Sequence, residues 1–152
     1  MKLAEALILR ADCQKRMEQL KQRLLRSAKV QEGDNPAEEP KALLAEFEKV
    51  SVELQRLIQH INRTNSATEF GSGMTLADAL AVRDILKLKH ATYRDLAQAA
   101  VVTQDRFTKS EIKFKSTVTI AEVQKIADDL AVEHRELDAR IQEANWRTEL
   151  LE

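Results

Sequence analysis

Glycine occurs three times and proline twice in the 152 residues, and both fall in two short windows: Gly33, Pro36 and Pro40 in one, Gly71 and Gly73 in the other. Because these residues break helices, the rest of the chain is left free to form long ones. Aromatics are also scarce, at 4%, while Ala, Leu, Glu, Lys, Arg and Gln dominate, the composition of long helices or coiled coils. A single cysteine, Cys13, excludes an intramolecular disulfide. Its neighbours in the first helix suit a small buried hydrophobe better than a nucleophile. No apolar run approaches a membrane span, and residues 1–16 mix acidic and basic side chains without the apolar centre of a signal peptide. Charged residues reach 32% yet the formal net charge is -1, so the two signs are interspersed and no basic face supports nucleic-acid binding. These absences give the expectation of a soluble, cytoplasmic protein with neither nucleic acid nor membrane as partner.

What is present is periodicity. Leu43, Phe47, Val50, Leu54, Leu57 and Ile61 recur at alternating spacings of four and three, which on a helix makes one narrow apolar seam. Past Ile61 the seam is read as passing to Asn65, with Asn62 on the same side. Buried carboxamides require hydrogen-bond partners from other helices. A first helix is predicted over residues 2–30, with Leu3, Leu7, Met17, Leu20, Leu24 and Ala28 inward and Arg10 and Gln14 interrupting that side. Pro40 can open a second helix, since its missing N–H is not needed in the first turn, and that helix should reach residue 67. Thr75 with Asp78, and Thr119 with Glu122, have the spacing of capping boxes that open a third and a fourth helix. Leu76, Leu80, Leu86, Tyr93, Leu96, Ala97 and Ala100 are expected inward on the third. Val123, Ile126, Leu130, Leu137, Ile141 and Ala144 are expected inward on the fourth.

Residues 106–119 break the helical pattern. Ile112, Phe114, Val118 and Ile120 fall at even spacings with lysines and threonines between them, which reads as a short strand with one buried face. A lone strand must pair with something, either the region near residues 68–70 or the same segment of a second subunit. The expected fold class is therefore all-α: an antiparallel bundle of four long helices with a short β element between helices three and four, in a single domain over residues 1–152.

Antiparallel packing brings polar residues from all four helices to one end: Arg10, Asn62, Asn65, Asp78, Arg83, Asp84, Asp138 and Asn145. The ordinary role of such a layer is to fix register and helix order. The functional alternative is a ligand-binding pocket for a small anionic or amide-bearing molecule, with Arg83 and Arg10 as charge partners. His90 and His134 fall on inward stripes and are weak metal candidates beside Glu18 and Glu53. No catalytic residue is assigned, because the hydrolase elbow, the phosphate loop and the zinc-protease helix are all missing. No cofactor is implied.

Several strings run together through nearly the whole chain: Val30-Gln31-Glu32-Gly33, His60-Ile61-Asn62-Arg63-Thr64-Asn65, Thr75-Leu76-Ala77-Asp78-Ala79-Leu80 with Arg83-Asp84, Arg106-Phe107-Thr108-Lys109-Ser110-Glu111-Ile112-Lys113, and Arg135-Glu136-Leu137-Asp138 through Asn145-Trp146. In these the chain resembles a family of small uncharacterised bacterial proteins sometimes labelled septicolysin. The resemblance implies a mostly helical domain and no established activity. The functional expectation is a non-enzymatic homo-oligomeric interaction or scaffold protein, with a dimer as the commonest closed form. A small-ligand-binding or enzymatic bundle using the polar end is the competing reading.

Overall fold

The computed structural model describes residues 1–103 and 112–152. Among them are four helices, α1 (Leu3–Arg26), α2 (Pro40–Ala67), α3 (Leu76–Ala99) and α4 (Ile120–Arg147), with two short strands, β1 (Glu69–Gly71) and β2 (Met74–Thr75). The fold is all-α. Local chemistry sets the helix boundaries. Pro40 occupies the first turn of α2, where no N–H is required of it, and the Leu43 N–H closes that turn on the Glu39 carbonyl at 3.2 Å. At the start of α1 the Glu5 carboxylate accepts the Lys2 backbone N–H at 2.7 Å, removing one of the donors a helix N-terminus leaves unpaired.

The chain divides into two compact units, Met1–Ala77 with Gln142–Glu152, and Asp78–Ile141. In the first, α1 and α2 run antiparallel. Arg23 pairs with Glu38 just before α2, and Arg16, seven residues back on α1, pairs with Glu46, eight residues further on, at 2.6 Å. Their interface repeats every seven residues: Ala6, Cys13 and Leu20 are buried on α1, and Leu43, Val50, Leu57 and Thr64 on α2. Buried positions at seven-residue intervals on both helices give one narrow apolar seam. The two chain ends close the unit. The Leu3 N–H donates to the Thr148 carbonyl at 2.9 Å, the Leu150 N–H to the Met1 carbonyl at 2.8 Å, and Lys2 Nζ reaches Glu149 Oε1 at 2.5 Å.

In the second unit the buried seam is Ala79, Leu86 and Ala97 from α3 with Val123, Ala127, Leu130 and Ile141 from α4. An ion pair joins Arg83, early on α3, to Asp138, late on α4, so these helices are antiparallel as well. Leu96 and Ile126, expected inward, are instead 41% and 42% exposed. A two-helix seam covers only a narrow stripe, and both residues lie one step to its side.

The short β element sits one connection earlier than expected, between α2 and α3. β1 and β2 pair antiparallel, Glu69 opposite Thr75 and Gly71 opposite Met74. The tight reversal takes its left-handed backbone from Gly71 (φ +108°) and Gly73 (φ +74°), with Ser72 at φ +54°. Glycine adopts that region without steric cost. The strand expected over residues 106–119 falls in part outside the described residues. Its described part, residues 112–119, forms no strand, and Phe114 is exposed. Alternation alone does not make a strand, which also needs a partner edge for its backbone groups.

Candidate functional site

The polar residues singled out by sequence do not share one fate. In the first unit, Asn62 is exposed and Asn65 half-buried. The buried position after Ile61 is Thr64, at 0% exposure. The alternation explains this: the step after the four-residue spacing from Leu57 to Ile61 is three, which lands on Thr64. Asn65, expected as the next seam position, lies one residue past it. The Thr64 hydroxyl donates to the His60 carbonyl at 2.8 Å and accepts the Leu151 N–H at 2.9 Å. One side chain therefore satisfies itself within α2 and fastens the C-terminal segment.

Asn145, on α4, is 6% exposed in the same unit. Arg10 occupies the same stripe of α1 as Leu3 and Met17, at seven-residue intervals, and is half-buried there. Its Nε is buried without a hydrogen-bond partner. An unpaired donor in such a place costs desolvation without return. Nearby on that helix, burial pushes the Cys13 thiol above its ordinary range, with the Glu53 carboxylate acting in the same direction. Cys13 is accordingly a neutral packing residue rather than a thiolate nucleophile.

In the second unit, Arg83 Nη1 meets Asp138 Oδ1 at 3.0 Å and Arg83 Nη2 meets Asp84 Oδ1 at 3.5 Å. Arg83 stands where the seven-residue repeat of α3 would otherwise place an aliphatic, and two carboxylates compensate its charge. Asp78 lies in the first turn of α3, where an acidic group opposes the helix dipole favourably, and is exposed. His90 and His134 are half-buried. Among the described residues no group of three or more His, Cys, Asp or Glu side chains is placed to hold a metal ion.

A cleft of about 470 Å³ opens where α3 ends, lined by Leu96, Ala99, Ala100, Val101, Val102 and Phe114 with Thr103, Lys115, Ser116, Thr117 and Val118. Among the described residues its lining is apolar and hydroxylic, with Lys115 contributing a charge. None of the polar residues expected at the bundle end belongs to it. Among the described residues no helix is long and apolar enough to cross a membrane.

Residues 10–150 match a family of unknown function, DUF6847. Among solved structures, the crystal structure of a functionally unknown conserved protein from Corynebacterium diphtheriae is similar at 52% identity over 99% of each chain, with a TM-score of 0.94. No curated protein matches.

Proposed function

The chain belongs to the DUF6847 family of unknown function, so its own surface must carry the reading, and we propose that it is a non-enzymatic protein that works by self-association, a dimer first. One observation supports this above others. Beside its buried seam, α3 exposes Val82, Ile85, Leu88 and Leu96 along one flank. Aliphatics scattered singly over a surface need no explanation, but four on one flank of one helix, with Lys89 and Thr92 between them, suit a place where another molecule sits. Arg83, held between Asp138 and Asp84, acts as a register-fixing pair within the hairpin rather than as a ligand anchor. The single buried thiol of Cys13 suits a reducing, cytoplasmic compartment. Sedimentation equilibrium across a wide concentration range tests the proposal. A reversible dimer is expected, and a strict monomer at the highest concentration overturns it.

The unpaired Nε of Arg10 favours a second reading, that of a site for a small carboxylate or other anion. Arg10→Met removes the guanidinium and keeps most of the aliphatic volume. On this reading the variant is as stable as the parent or more so, because an unsatisfied donor is gone, while protection of the parent by small carboxylates in thermal melts disappears. If no carboxylate or phosphate raises the parent's melting temperature, this reading fails.

A further inference from the structure

We propose that two copies of this chain pair through α3, antiparallel, on the stripe Val82, Ile85, Lys89, Thr92, Leu96 and Ala99. This rests on the self-association reading above and adds where the second copy sits and in which register. The stripe steps by 3, 4, 3, 4 and 3 residues, a second heptad seam lying beside the one that α3 already buries against α4. A helix with one neighbour needs one seam; two seams serve two neighbours. Val82 is 44% exposed and Ile85 52%, with Leu96 at 41%, and Lys89, Thr92 and Ala99 are exposed between them. At 1.5 Å per residue the stripe runs for about 26 Å, long enough for a continuous helix–helix contact.

The residue types along the stripe suit a second copy as its occupant. A two-fold contact places residue i on j and j on i. Reversed about the midpoint between Lys89 and Thr92, this stripe falls on itself: Val82 opposite Ala99, Ile85 opposite Leu96, Lys89 opposite Thr92. Every layer then sets apolar on apolar, except the central two, where each lysine meets a hydroxyl. Parallel pairing would stack Lys89 on Lys89, two like charges in one layer. Charge complementarity points the same way. Asp95 lies one turn beyond Thr92 on the outer edge of the stripe with 64% of its side chain exposed, its Oδ1 held by Arg94 Nε at 3.1 Å. In the antiparallel register Lys89 of one copy reaches the Asp95 carboxylate of the other, twice by symmetry.

The test uses the full chain. Sedimentation equilibrium compares the parent with the Ile85→Asp/Leu96→Asp double variant and with Val52→Asp, an exposed site on α2. Circular dichroism checks that helix content is kept. The double variant is expected to dissociate, its dimer weakened roughly 100-fold or more, while Val52→Asp behaves as the parent. A monomeric parent overturns both this inference and the self-association reading. A dimer that survives the double substitution overturns only the surface named here. The register is read independently of the aspartates. Ile85→Cys and Leu96→Cys chains, mixed and oxidised, should cross-link with each other, and neither should cross-link with itself. Self-linking by either one overturns the antiparallel register.

Discussion

At the scale of single residues, Thr64 does the most structural work for its size. Its hydroxyl is the acceptor for Leu151 N–H and it has no access to solvent. Thr64→Val keeps the shape and deletes both hydrogen bonds, leaving a partly buried amide unpaired. A loss of about 1–2 kcal/mol is expected in urea unfolding, with faster hydrogen exchange at Leu151 as the local signature. Cys13 gives a second prediction. Its thiol is buried and held protonated above the ordinary range by desolvation, so iodoacetamide should modify it only as the protein unfolds, in step with the loss of helix. The sign of its pH effect follows from the same cause. The unfolded thiol ionises first as pH rises, so this contribution to stability is complete below the unfolded pKa and is lost as pH climbs through the folded one.

Among the elements, the α1–α2 hairpin is tied at its connected end by Arg23 and Glu38. Arg23 Nε lies 3.1 and 3.0 Å from the two carboxylate oxygens, and this hydrogen bonding holds the Glu38 carboxyl below its usual range. Glu149 is likewise lowered, first by Lys2 and then by the terminal amine. For both, the folded pKa lies under the unfolded one. Their stabilisation is therefore in place above the unfolded value, near pH ~4.3 for glutamate, and is lost as pH falls through the folded value. The melting temperature should drop on acidification through that window, and the drop should be shallower in Glu38→Gln. In the α3–α4 hairpin, a double-mutant cycle on Arg83 and Asp138 should give a coupling of about 1 kcal/mol or less, the size expected of a half-exposed pair. The sequence made the start and end of α2 legible because Pro40 and the 4–3 alternation act locally. It did not reveal the β1–β2 hairpin, which depends on Gly71 and Gly73 taking positive φ and on a two-residue strand finding an edge within five residues. Nor did it show that Leu96 and Ile126 stay exposed. Periodicity says which residues share a stripe; only packing says which stripe is covered.

For the whole molecule, the proposed association makes stability a function of concentration. Anything that binds the folded chain and not the unfolded one raises its melting temperature by mass action. The parent's melting temperature should therefore rise with protein concentration, and that of Ile85→Asp/Leu96→Asp should not. The sequence by itself determined the all-α class, the four helices and the heptad seams, because helix propensity, breakers and apolar spacing are written in neighbouring residues. Only the tertiary structure decided that the Thr64 hydroxyl meets the Leu151 N–H, that Asn62 meets water, that Arg83 finds Asp138, and that the Arg10 Nε is buried without an acceptor. Those outcomes depend on which groups from distant parts of the chain arrive at the same place, and hydrogen bonds and burial are settled there, between elements rather than within them.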